Sequence, residues 1–182
     1  MSAETFGRIV PAFSRLEALI LNGIGEPLLH PSLDRFIETA RRRMPSGAWV
    51  GFQTNGQLLT RTRAVKLVEA GVDKVCISSD AVTPDMFRAM RAGGERAAVD
   101  TSVVALRDAA RSRGRRVSLG LEFVATRHNI DELPMLYRRV GEIHAAGILR
   151  LPGGPVPAFH LERSGVSVVQ ERGAELRFSL LI

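Results

Sequence analysis

One stretch decides the fold: Leu21-Asn22-Gly23-Ile24-Gly25-Glu26-Pro27-Leu28-Leu29-His30-Pro31. It continues an apolar run at 18–21, typical of a buried parallel strand, and Ser32 can cap the helix that comes next. Glu26 is therefore expected at the carboxyl end of a strand, where parallel α/β folds bind ligands and where glycines let backbone approach them closely. Two interpretations stay open here: a ligand-binding carboxylate, and a tight turn with a solvated glutamate.

Helix and strand patterns alternate on either side of that stretch. The predicted strands span residues 18–21, 48–52, 74–77 and 117–123. Such alternation predicts a parallel sheet with right-handed crossovers, either open or closed into an incomplete barrel. Polar clusters follow the strands, at 22–26, 54–56, 78–80 and 126–129. Because these clusters would all meet on one rim of a barrel, we favour an α/β fold that forms a partial (β/α) TIM-like barrel.

Length and composition set the broad class. The chain has 182 residues, 45% of them hydrophobic, which is enough for one domain with a sizeable core. Its apolar runs are too short to span a bilayer, and no export signal precedes them, so we expect a cytoplasmic protein. The single cysteine, Cys76, excludes an internal disulfide and any metal site that takes two or more thiolates from this chain.

The formal net charge of +6 invites a nucleic-acid hypothesis. The densest basic groups lie at the predicted ends of helices, at 41–43 and 111–116. Aromatic residues, which would stack on bases, make up only 5% of the chain. We therefore interpret these arginines as solvated helix ends that complement the helix dipoles, and nucleic acid is a disfavoured partner.

Three motifs together resemble the radical S-adenosylmethionine (radical SAM) family. They are the glycine turn at 23–31, Thr54-Asn55-Gly56, and Ile77-Ser78-Ser79-Asp80 followed by Thr83-Pro84. Each falls at the end of a different predicted strand, in the order and at the spacing of the family, and the resemblance covers about residues 3 to 144.

The resemblance implies a partial (β/α) barrel that holds S-adenosylmethionine (SAM) and a [4Fe-4S] cluster, which reductively cleaves SAM to a carbon radical. Gly25 and Glu26, with Gly23 before them, match the turn that binds the methionyl ammonium; a carboxylate facing an ammonium is a strong charge-assisted pair. Ser78 matches a position near the ribose or carboxylate, and Asp80 lies beside it. Asn55 falls in a loop that shapes the site. The alternative is that these last three residues only stabilise turns.

The cluster-binding cysteines of the family, spaced Cys-x-x-x-Cys-x-x-Cys, are absent from this chain, and Cys76 cannot replace them. The resemblance thus implies a core truncated at the N-terminal strand, whose open edge a protein partner would cover. We expect residues 1–146 to form the barrel and 147–182 to form a tail with a linker and a short hairpin. The chain alone would be an incomplete, inactive radical SAM core; the alternatives are a SAM-binding or partner-dependent module and, third, a basic nucleic-acid-binding domain.

Overall fold

A computed structural model describes residues 1–143, 146–152, 166–171 and 175–180, with side chains described up to residue 139. The predicted linker between 153 and 165 lies outside these residues. The helices are α1 Ala3–Ile9, α2 Leu33–Arg43, α3 Arg61–Ala70, α4 Pro84–Met90, α5 Arg96–Ser112 and α6 Leu133–Ile143. Three short 3-10 helices span Val10–Arg15, Pro27–Leu29 and Ile130–Glu132. The strands are β1 Ala18–Ile20, β2 Trp49–Thr54, β3 Lys74–Ser78, β4 Ser118–Val124, β5 Ala146–Pro152, β6 Val166–Glu171 and β7 Glu175–Leu180.

All described strands form one sheet, in the order β1-β2-β3-β4-β5-β7-β6. Strands β1 to β5 are parallel, each paired with the next along the chain, while β7 runs antiparallel to both β5 and β6. The tail was predicted to begin as a linker at 147, and the structure places β5 there instead. Because β1 to β4 are parallel neighbours, the loops that follow them lie along one edge of the sheet.

The amino-terminal segment packs on α2 through aromatic rings. Phe6 stacks on Phe36 with ring centroids 4.0 Å apart and meets Phe13 edge to face at 5.4 Å. All three rings are buried. This cluster fixes the chain just before β1 and so helps to set where the following turn begins. Within the described residues, no helix combines the length and apolar character needed to cross a membrane.

Gly56 holds the loop after β2 against α5 and β3. Its φ of +77° suits glycine, and a Cβ there would lie 3.0 Å from a methyl of Ile77 and 3.2 Å from Oγ of Ser102. The Ser102 hydroxyl donates to the Gly56 carbonyl at 2.5 Å. The loop carrying Asn55 is therefore tied to the core.

We predict that Gly56→Ala lowers the free energy of unfolding by about 1–3 kcal/mol, because a left-handed alanine costs about 1–2 kcal/mol and the crowded Cβ adds to it. Gly7→Ala is the matched control, since Gly7 lies in α1 with open space around a Cβ. It should raise stability by about 0.4–1 kcal/mol. Urea denaturation of both variants checks this, and equal effects at the two sites would refute the constraint at Gly56.

Candidate cofactor-binding site

A cleft of about 400 Å³ opens where the loops after β1, β2 and β3 meet. Its walls are Asn22, Gly23, Gly25, Glu26, Pro27, Gln53, Thr54, Asn55, Ser78 and Arg91. Five of the six residues predicted for the cofactor site therefore share one cleft. The sixth, Asp80, lies in an adjoining cleft.

The carboxylate of Glu26 joins the loop after β1 to the loop after β2. Its Oε1 accepts the Leu28 N–H at 3.0 Å and the Thr54 hydroxyl at 2.6 Å, and its Oε2 accepts the Asn55 N–H at 2.8 Å. The Thr54 hydroxyl in turn accepts the Gly56 N–H at 3.1 Å. A carboxylate offers about four acceptor positions, so Glu26 keeps capacity for one more donor. Glu26 is both a clamp between two loops and a half-buried anion facing a cleft.

The two glycines before Glu26 leave the cleft wall free of side chains. Gly25 has a φ of +128°, and a Cβ built at Gly23 or Gly25 meets no atom within 4 Å. Backbone is thus exposed toward the cleft, and at Gly25 a larger residue would be strained. This geometry suits close approach of a polar ligand beside the carboxylate.

Polar groups of β1, β2 and β3 are linked across the floor of the cleft. Gln53 donates two hydrogen bonds. Its backbone N–H donates to Oδ1 of Asn22 at 2.8 Å, and the Gln53 side-chain amide donates to Oγ of Ser78 at 3.0 Å. Ser78 is buried. These bonds orient the Ser78 hydroxyl as part of a network, so Ser78 does more than end a strand.

Asp80 is held by protein groups. Its Oδ1 accepts the Val124 N–H at 3.0 Å, and its Oδ2 pairs with Arg91 at 2.6 Å. The amide of Asn129 donates to its backbone carbonyl at 2.7 Å. These bonds tie the ends of β3 and β4 together, and the assignment of Asp80 to cofactor binding stays a prediction.

Five cleft residues were missed as site residues from the sequence: Pro27 and the polar residues Asn22, Gln53, Thr54 and Arg91. Asn22 and Thr54 belong to the quoted polar clusters, so their positions at strand ends were the available signal. Arg91 lies 13 residues beyond Ser78 along the chain, after α4. No short motif indicates that it returns to the cleft.

The residues present do not fit an iron-sulfur cluster. The chain has one cysteine, and Cys76 lies within β3, half-buried between the neighbouring strands β2 and β4. The described residues contain no group of three or more histidine, cysteine or acidic side chains that could hold a metal. A cluster held by three thiolates therefore has no ligand set in this chain.

Parallel strands linked by helices, with a polar cleft at the strand ends, define a (β/α) protein with a candidate ligand site on its rim. A family model described as the radical SAM superfamily matches residues 1–140. The chain belongs to the radical SAM superfamily, as the motifs indicated.

Two curated relatives show what the chain is similar to. It is 35% identical over 130 residues to the tungsten-containing aldehyde ferredoxin oxidoreductase cofactor-modifying protein of Pyrococcus furiosus, covering 69% of this chain and 35% of that protein. It is 32% identical over 142 residues to a GTP 3',8-cyclase of Rhodopseudomonas palustris, covering 76% of this chain and 39% of that enzyme. The chain thus spans little more than a third of the length of these relatives.

Solved structures confirm the predicted fold class. Coproporphyrinogen III oxidase of Escherichia coli, described as a radical SAM enzyme, aligns with a TM-score of 0.61 at 11% identity, over 84% of this chain and 36% of that one. Methylornithine synthase aligns with a TM-score of 0.64 at 8% identity, over 83% and 44%. The described sheet is a partial (β/α) barrel.

We predict that Thr54→Val lowers the free energy of unfolding by about 1–3 kcal/mol, because it leaves the buried Gly56 N–H without its acceptor and removes one donor from Glu26. Thr101→Val is the control: Thr101 is exposed on α5 and its hydroxyl bonds only to the Ala97 carbonyl among the described residues. That change should stay within about 0.5 kcal/mol. Urea denaturation compares them, and similar losses would contradict the clamp.

Proposed function

We propose that the chain binds SAM in the first cleft, with the methionyl ammonium on the carboxylate of Glu26 and against the backbone of Gly25. The observation that carries this proposal is the unbalanced charge of Glu26. Its three donors are neutral, and none of the ion pairs among the described residues includes it. A half-buried carboxylate without a cation favours a ligand that supplies one.

The other walls suit the rest of the cofactor's amino-acid end. Ser78 presents a hydroxyl oriented by Gln53, and Asn55 lies where its loop meets both clefts. Bound SAM supplies a sulfonium whose reductive cleavage yields a carbon radical. The role of this chain's residues is to hold and orient the cofactor, since they do not fit the cluster that reductive cleavage requires. This chain alone would then be a SAM-binding core without radical catalysis.

The curated relatives support a coarser idea of the reaction. Their names describe modification of a cofactor and cyclisation of GTP. We propose that a longer protein or assembly containing this core acts on a cofactor or a nucleotide precursor. Fold alone does not select among such substrates.

A polypeptide partner at β1 is part of the proposal. Strand β1 is an edge of the described sheet, and Ile20, Ile24 and Leu29 beside it are exposed by more than half. An open edge with exposed apolar side chains is a surface that proteins usually cover. We propose that a protein segment pairs with this edge.

Calorimetric titration of SAM into the purified chain tests the cofactor proposal. Wild type should bind, and Glu26→Gln should weaken binding by about tenfold or more, because a charge-assisted bond to the ammonium is lost. Glu17→Gln is the matched control, since Glu17 is an exposed carboxylate just before β1. The affinity of Glu17→Gln for SAM should equal that of wild type.

Methylthioadenosine, which lacks the amino-acid end, separates the ammonium contact from general damage. Its affinity should be the same for wild type and Glu26→Gln. Absence of SAM binding by the folded wild-type chain, or equal SAM affinity in Glu26→Gln, would refute the proposal. A parallel loss of methylthioadenosine binding would show that Glu26 acts only as a clamp.

A further inference from the structure

A second cleft of about 480 Å³ adjoins the first. Its walls are Asn55, Gln57, Asp80, Met90, Arg91, Ala92, Gly93 and Gly94. Asn55 and Arg91 line both clefts. A ligand in the second cleft would therefore lie directly beside one in the first, on the same rim of the sheet.

The negative charge in the second cleft is already neutralised. Asp80 is only 7% exposed, and its two carboxylate oxygens are taken by the Val124 N–H and by Arg91. Little of this carboxylate is left to face a ligand. Asp80 thus serves to fix the guanidinium of Arg91 in place.

Arg91 presents the surplus of donors. A guanidinium has five N–H donors, and the only partner that the described residues give the Arg91 guanidinium is the Asp80 oxygen, at one terminal nitrogen. Its side chain is 28% exposed, and it borders the two clefts. Its Nε is buried without an acceptor among the described residues. The cleft therefore offers a ligand the unused N–H donors of a guanidinium that the ion pair with Asp80 holds in position.

The opposite wall is fixed by Gln57. Its side-chain oxygen accepts the Glu95 N–H at 3.0 Å, and its amide donates to the Glu95 carbonyl at 3.2 Å. This pairing holds the loop after α4 against the loop after β2. Between them, Gly93 has a φ of +75° with no atom within 4 Å of a built Cβ, so its backbone stays open to the cleft. The cleft is thus preorganised rather than a gap between mobile loops.

We propose that the second cleft binds an oxyanion, a carboxylate or a phosphate, of a second ligand, with Arg91 as its cationic partner. Arginine suits such groups because its planar fork can donate two parallel hydrogen bonds. Identifying that second ligand as the substrate rests on the proposed SAM-binding function, whereas the oxyanion site itself does not. The substrate class is then an anionic molecule whose charged group lies next to the cofactor cleft.

Amide NMR titrations of the full chain with inorganic phosphate and, separately, with acetate test the site. In wild type, the amide signals of Gly93, Gly94 and Asn55 should shift with at least one of the two probes, and the tighter one indicates the class of oxyanion. Arg91→Gln should weaken binding by about tenfold or more. Arg88→Gln is the matched control, an exposed arginine on α4 paired with Asp85, and should bind like wild type.

Arg91→Lys is a second variant that should fold even if Arg91→Gln does not, because it keeps a positive charge opposite Asp80. It lacks the planar guanidinium that can donate two parallel hydrogen bonds. It should fold and bind the probe more weakly than wild type. If the amide signals of residues 93–94 in wild type do not shift with either probe, the proposal is overturned. Unchanged affinity in a folded Arg91 variant would do so as well.

Titration of SAM separates this inference from the proposed function. In the wild-type chain saturated with SAM, the probe should still shift the amide signals of residues 93–94, with an affinity within about threefold of that in the SAM-free chain. Displacement of the probe by SAM would assign Arg91 to the cofactor's own carboxylate, which overturns the second-ligand site and leaves SAM binding standing. Probe binding that depends on Arg91 in a chain that does not bind SAM would support the oxyanion site and contradict the proposed function.

Discussion

The Glu26 carboxylate is the constraint on which the rim of this sheet depends. It accepts hydrogen bonds from Leu28, Thr54 and Asn55, and so fixes the loop after β1 on the loop after β2. Glu26 is half-buried and forms no ion pair among the described residues. The structural clamp and the proposed ligand-binding anion are thus one group, because the bonds that hold the carboxylate in place also keep it at the cleft.

A second carboxylate, Asp80, works in the opposite way two strands further along the sheet. Asp80 is more deeply buried than Glu26 and has an arginine partner, so its charge is satisfied within the protein. The difference lies in the partner and not in the residue type. Of two acidic residues at strand ends, one therefore leaves a negative site open to a ligand, while the other positions a positive group.

The fold could be predicted largely because its signals are local. Ser2 and Thr60 cap α1 and α3 with their side chains, and Gly71 ends α3 in the left-handed conformation, whereas Ser32, expected to cap α2, makes no side-chain cap bond. β5 was missed because Gly147 suggested a linker, whereas pairing with β4 decides that segment. Tertiary pairing of this kind leaves a weak trace in sequence.

The site residues show the same difference between local signals, which the sequence reveals, and tertiary contacts, which it does not. Topology brings together at the cleft the residues that end a strand or lie in the loop after it, which are Gly23, Gly25, Glu26, Asn55 and Ser78. Arg91 lies at the carboxyl end of α4, and its guanidinium reaches the cleft where it pairs with Asp80, just after β3. That approach depends on tertiary structure, and no short motif indicates it. The residues that a motif can reveal thus line the proposed cofactor cleft, while Arg91, which also lines the second cleft, emerges only from the three-dimensional structure.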